Sequence, residues 1–339
     1  NGIMATNLTV VLDHIDADFD HSLERLFKLL RIKSISADPA FAGDCKAAAD
    51  YLAGDIASLG VKAEVRPTGG HPAIVAKPNG KADGARPHVL FYGHYDVQPV
   101  DPGELWHSPP FEPVVTDHAD GRKIIVARGA QDDKGQLMTF VEACRAWVAV
   151  TGSLPVDVTF LIEGEEEVGS KHLVSFLENN RNDLKADFAL VCDTSMWDPN
   201  TPAITTALRG LVYDEVRITA ANRDLHSGLF GGAAQNPIRV LTRILGGLHD
   251  DNGRVTIPGF YDGVKDLPPD ILAQWKALDF TPESFLKPIG LSLPAGEKDR
   301  LLIEQVFSRP TCDINGIFGG YTAEGSKTVI ASHATAKIS

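Results

Sequence analysis

Leu23, Leu26, Phe27 and Leu30 recur at i, i+3, i+4 and i+7, the period of a helix with one apolar face, and Asp20 stands where a cap would sit. A second helix is expected from about Lys46 to Leu59, with Leu52, Ile56 and Leu59 inward and Gly60 ending it. Val61–Val65 then alternates like a half-buried strand, and Ala73–Ala76 is apolar throughout. The short apolar run His88–Tyr92 fits a strand covered on both faces, as does Val156–Ile162. Helices are expected over Lys134–Val150 and Lys171–Leu177, and a strand over Phe188–Cys192. This alternation predicts an α/β domain, a mostly parallel sheet flanked by helices on both faces.

The pattern changes near Leu208-Arg209-Gly210. Leu211–Thr219 reads as a long strand with one wetter face. A helix from about Pro237 to Leu248 follows, its apolar face made by Ile238, Leu241, Ile244 and Leu245. Pro and Gly become frequent up to about Gly316, and Thr328–Ile330 and Ala334–Ile338 resemble two further strands. The expected organisation is therefore residues 1–207 as one domain and 208–339 as a smaller α+β domain with an antiparallel sheet. Asn1-Gly2-Ile3 ahead of Met4 reads as a cloning leader and takes no part in this reasoning.

At 339 residues, two cores are the better expectation, and 43% hydrophobic with 23% charged residues is ordinary for a soluble globular chain. A net charge of −13 argues against a nucleic-acid surface, which needs a basic stripe. Cys45, Cys144, Cys192 and Cys312 form no CxxC pair, so a reducing cytoplasm is the expected setting. No apolar run reaches the length of a membrane span, about 18 residues, and no signal-peptide pattern opens the chain.

Acidic and imidazole side chains gather where the expected strands end: His94 and Asp96, then Asp132-Asp133, then Glu165-Glu166-Glu167, then Asp193. Loops at the carboxyl ends of strands are where open α/β folds build sites. One imidazole with several carboxylates and no thiolate suits zinc, manganese or cobalt. Residues two apart on a strand share a face, so His94 can bind a metal while Asp96 holds the far side of its ring. Each cluster also has a plain reading. His94 and Asp96 can be a solvated strand end, Asp132 and Asp133 helix N-terminal charges, the Glu triplet a solvated run, and Asp193 a turn residue. Their order at the strand ends of one α/β unit favours a metal-dependent hydrolase.

The motifs Gly93-His94-Tyr95-Asp96-Val97-Gln98-Pro99, Arg128–Gly135, Glu163–Ser170 and Asp224-Leu225-His226-Ser227-Gly228 resemble the dinuclear metallopeptidase family of carnosinase-type dipeptidases, glutamate carboxypeptidase, aminoacylase and the desuccinylases. The Val-Gln-Pro after Asp96 and the pattern at 225–232 are similar to the carnosinase-like branch. The resemblance spans essentially the whole chain. It implies two divalent ions, zinc first with manganese or cobalt suiting the same donors. His94 and Asp193 would bind one ion, Glu167 the other, and Asp132 both; Asp96 would orient His94. Glu166 would be the general base, taking a proton from a water shared by the ions and passing it to the leaving amine. The Asp132–Asp133 peptide is expected to be cis. The second domain would serve as lid and dimerisation domain, with His226 reaching a partner's site in a homodimer to stabilise the oxyanion. Thr328 would contact substrate. A further histidine ligand and a carboxylate-binding arginine are implied beyond Ser339, so one metal position is expected to lack a ligand within this stretch.

The substrate implied is a dipeptide or similar small peptide. The same fold also admits N-acyl-amino-acid deacylases, desuccinylases and carboxypeptidases. A reading of another class is a non-catalytic oligomerisation scaffold. No Gly-x-Ser-x-Gly elbow and no HExxH motif occurs, which disfavours a serine hydrolase and the common helical zinc protease.

Overall fold

The strand Asp157–Glu163 is buried at all seven positions and forms the centre of the first sheet. Its run of Val, Thr, Phe, Leu and Ile suits a strand covered on both faces. A computed structural model describes residues 2–78 and 86–339, so Asn1 lies outside the described residues. The chain divides into two compact units, Asn1–Ile204 and Thr205–Ser339.

The first unit contains, in order, α1 (Gly2–Ala17), α2 (Phe19–Leu30), α3 (Ala42–Ala57), β1 (Lys62–Arg66), β2 (Ala73–Lys77), β3 (His88–His94), β4 (Val114–Asp117), β5 (Lys123–Val126), α4 (Lys134–Thr151), β6 (Asp157–Glu163), α5 (Leu173–Asn179) and β7 (Phe188–Val191). The main sheet has the order β1-β2-β6-β3-β7, and β4 pairs with β5 in a separate hairpin. On one face Leu29 and Leu30 of α2, Leu52 and Ile56 of α3, and Leu137 and Met138 of α4 pack against Phe91 and Phe160. Phe91 and Phe140 stack with ring centroids 4.0 Å apart. On the other face Phe176 of α5 packs with Ala73, Val75 and Leu161. Removing most of such a buried side chain costs about 2–5 kcal/mol.

The sheet is mixed where a mostly parallel one was expected. β6 runs parallel to β3, and β3 to β7, but β1 is antiparallel to β2 and β2 to β6. The chain between Arg66 and Ala73 is too short for a parallel crossover, which needs about a dozen residues. Asp20 lies in the first turn of α2, not at its cap. Asp18 occupies the cap and spends its carboxylate on His21 at 2.7 Å and Arg25 at 2.8 Å. The helix α3 begins at Ala42 and ends before Gly60, whose φ of 82° turns the chain into β1. The helix expected over Lys171–Leu177 is displaced to Leu173–Asn179.

The second unit contains β8 (Asp214–Thr219), β9 (Leu225–His226), α6 (Ser227–Phe230), α7 (Pro237–Gly246), α8 (Pro269–Lys276), α9 (Leu302–Phe307), β10 (Ile314–Gly319), β11 (Val329–Ile330) and β12 (His333–Ile338). β12 lies between β10 and β8, antiparallel to both. Asn236 caps α7 through its side-chain oxygen, with Pro237 at the first helical position. Leu241 and Leu245 of α7 pack on Ala334 and Ala336 of β12, whereas Ile244, expected inward, is 41% exposed. The strand expected from Leu211 starts at Asp214.

Candidate metal centre

Parallel pairing brings the carboxyl ends of β3, β6 and β7 to one edge of the sheet, with His94 opposite Glu163 in register. His94 closes β3 and is fully buried. Its Nε2 lies 3.1 Å from Asp132 Oδ1, 3.6 Å from Asp193 Oδ2 and 4.0 Å from Glu166 Oε2. Asp132 comes from the loop ahead of α4, and Asp193 follows β7. One donor atom from each of His94, Asp132 and Asp193 falls within 4.8 Å of the other two. An imidazole nitrogen between two carboxylates matches what a borderline divalent cation takes, so the donor set fits a metal such as zinc. Asp132 and Asp193 remain part-exposed, at 63% and 30% of the side chain, leaving the cluster open on one side.

The ring of His94 is held from behind. Its Nδ1 is 3.1 Å from the main-chain oxygen of Asp96 and 3.4 Å from Asp96 Oδ1. Asp96 has a second task that spacing did not reveal. Its two carboxylate oxygens accept the main-chain N–H groups of Glu166 and Glu167, at 3.2 and 3.1 Å. The carboxylate thus caps the short turn Glu166–Val168, where free N–H groups favour an anion.

Asp133 is also fully buried. Its Oδ2 accepts the main-chain N–H of His94 at 3.0 Å, while Oδ1 has no partner. The Asp132–Asp133 peptide is cis, as the resemblance implies. Lys134 extends inward and donates from Nζ to the Leu29 and Ile32 carbonyls at 3.1 and 2.7 Å, joining the start of α4 to the end of α2.

Charge and burial oppose each other here. Burial would lower the pKa of His94, but Asp96, Asp133 and Asp193 outweigh it and push the imidazole up to about 10. Burial raises Asp133 to about 7 against the pull of His94. Burial also raises Glu166 and Glu167; neighbouring carboxylates add to this, while His94 draws both down.

Glu167 stands apart from the His94 cluster, its Oε2 accepting from Gln98 Nε2 at 2.7 Å. Gln98, two residues after Asp96, entered the sequence reading only as part of the Val-Gln-Pro marker, with no role of its own. Gln136, whose Oε1 receives the Thr194 N–H at 3.0 Å beside Asp193, carried no sequence signal. In the second unit His226 pairs with Val329 across β9 and β11. Its Nδ1 accepts the Gly228 N–H at 3.0 Å, and its Nε2 is 3.4 Å from Thr328 Oγ1, so those two residues meet on an exposed edge.

Residues 90–336 match the profile of peptidase family M20/M25/M40. Over 99% of its length the chain is 31% identical to the Cys-Gly metallodipeptidase dug1 of Schizosaccharomyces pombe, covering 72% of that protein. It is 30% identical to the Beta-Ala-His dipeptidase of Homo sapiens, over 98% of this chain and 67% of the relative. Among solved structures, the M20 family metallo-carboxypeptidase Sso-CP2 of Sulfolobus solfataricus superposes with a TM-score of 0.74 at 37% identity, over 94% of this chain and 70% of that one. With three quarters of a dipeptidase's length aligned and the acidic cluster inside the matched span, the chain belongs to peptidase family M20/M25/M40.

Proposed function

We propose that this protein is a metal-dependent peptidase that hydrolyses the amide bond of dipeptides or similar small peptides. The convergence of His94 Nε2 with Asp132 and Asp193 carries the reading, and membership of the family supports it. His94, Asp132 and Asp193 would hold a divalent cation, zinc first and manganese or cobalt on the same donors. Such a cation supplies the Lewis acidity that activates water and polarises an amide carbonyl. Glu167, together with Asp132, would hold a second ion in an extension of the proposal; the charge of Asp132 already acts on Glu167.

Asp96 keeps the His94 ring in place and fixes its tautomer. Glu166, 4.0 Å from His94 Nε2, takes the proton of the attacking water and later delivers it to the leaving amine. Its raised pKa favours that exchange, because a base works best when its pKa approaches the ambient pH. His226 is proposed to donate to the oxyanion in the site of a second copy of this chain, with Thr328 beside it on the substrate side. Loss of one such donor costs about 10²–10³ in rate. All four cysteines are free, in keeping with the cytoplasm, and no described helix is long and apolar enough to cross a membrane.

The test uses metal-loaded, full-length protein. Glu166→Ala should abolish turnover of dipeptides and leave metal content near that of the wild type. Mixing Glu166→Ala chains with His226→Ala chains should recover part of the activity, since one site in a mixed dimer is then intact. Wild-type kcat in Glu166→Ala removes Glu166 from the chemistry, and no recovery on mixing removes His226 from a partner's site. The likeness to a metallo-carboxypeptidase supports a second substrate reading, cleavage of C-terminal residues from longer or N-acylated peptides. A panel of dipeptides and N-acyl amino acids separates the two.

A further inference from the structure

Glu163 closes β6 directly opposite His94 and is 4% exposed, a costly place for a carboxylate without partners. Its Oε1 accepts two hydroxyl hydrogens, from Tyr92 Oη at 2.6 Å and from Ser170 Oγ at 2.9 Å. Tyr92 lies on β3, two residues before His94. Ser170 lies at the far end of the loop that contains Glu166 and Glu167. One oxygen therefore joins the exit of β6, the strand that ends in His94, and the return of the loop.

Ser170 needs that hold. Its φ is 47°, in the left-handed region that a serine adopts at a cost, and it follows Gly169 at 85°. The Ser170 N–H closes on the Glu165 carbonyl at 2.8 Å, so the loop folds back to within one residue of where it began. The loop is thus fixed at two places. Asp96 fixes its front through the Glu166 and Glu167 N–H groups, and Glu163 fixes its back through Ser170.

We propose that Glu163 is a positioning residue that locks the Glu166-bearing loop to β3, and so sets where Glu166 stands relative to the His94 cluster. The proposal rests on Glu166 being the proton-transferring group. It assigns Glu163 no contact with substrate and no proton of its own. A carboxamide oxygen can accept the same two hydroxyl hydrogens, so acceptor geometry rather than charge is the requirement.

The experiment compares Glu163→Ala with Glu163→Gln in metal-loaded, full-length protein. Glu163→Ala should lower kcat about 10- to 100-fold, the usual cost of losing a residue behind a metal site, while KM and metal content stay near wild type. Glu163→Gln should restore most of that kcat. Tyr92→Phe and Ser170→Ala should each lower kcat, and neither should lower it further in the Glu163→Ala background, because the interaction is already gone. Wild-type kcat in Glu163→Ala overturns the proposal, as does a Gln variant as slow as the Ala variant with an equally lowered Tm. If Glu163→Ala does not fold, the Tyr92→Phe/Ser170→Ala double variant decides: reduced kcat supports the lock, and wild-type kcat overturns it. An active Glu166→Ala variant would instead remove the base assignment beneath the proposal, a failure visible without touching Glu163.

Discussion

His94 is buried in a place that should neutralise it, yet the carboxylates of Asp96, Asp133 and Asp193 hold its proton and raise its pKa from 6.5 to about 10. Burial raises Asp133 from 3.8 to about 7. Both shifts are upward, so without metal each of these two groups holds its proton more tightly in the folded chain, and its contribution to stability falls as pH rises, whereas burial lowers Lys134 to about 7 and works the other way above that pH. The His94 contribution is complete below pH 6.5 and is lost as pH climbs to about 10; that of Asp133 is lost between 3.8 and about 7. A cation at this position replaces the His94 proton, because a ligating imidazole must be neutral. The gain in Tm on adding zinc to chelator-stripped protein, a difference in which the other titrating groups cancel, should therefore grow between pH 6.5 and about 9. A zinc-induced gain that stays level or shrinks across that interval contradicts the assignment. At this scale the sequence was informative about which residue types gather and silent about their second partners. The spacing of His94 and Asp96 suggested that one steadies the other. Nothing along the chain told that Asp96 also holds the Glu166–Glu167 turn, or that Gln98 binds Glu167, since those contacts span about 70 residues.

Two parallel strand ends and the loop ahead of α4 deliver the cluster, so that loop must sit accurately. Gly135 is the tight point. A Cβ there would overlap the carbonyl oxygen of Ala130, which lies in the same loop as Asp132, and that oxygen belongs to backbone with little room to yield. Gly135→Ala should displace the loop and weaken metal affinity about 10- to 100-fold, read by titration with zinc against a competing chelator. Unchanged affinity would mean that the loop is not what places Asp132. Hydrophobic period identified β3, β6, α4 and α7 because their burial is strongly one-sided or complete, and β7 by its apolar run although its strand is exposed. It did not give strand direction, since the short link that makes β1 and β2 antiparallel is a matter of connection length. It also passed over the β4–β5 hairpin, whose strands are mostly exposed and carry little apolar contrast.

The two units differ in character. The first holds a mixed sheet between helices and the whole acidic cluster; the second holds a three-stranded antiparallel sheet beneath α7, with His226 and Thr328 on a separate edge pair. The sequence placed a change of pattern near Leu208, ahead of a long strand with one wetter face, and the two units divide between Ile204 and Thr205. The family was legible because four motifs occur in one order, and the profile match over residues 90–336 bears that out. The central claim is that His94, Asp132 and Asp193 bind a catalytic cation. It is tested most directly by anomalous scattering at the zinc edge from crystals of active, zinc-loaded protein. The account predicts a peak about 2.0–2.2 Å from His94 Nε2 and from oxygens of Asp132 and Asp193, with a second about 3.5–4 Å away beside Glu167. Peaks located elsewhere, with those three side chains free of metal in an active enzyme, would contradict it.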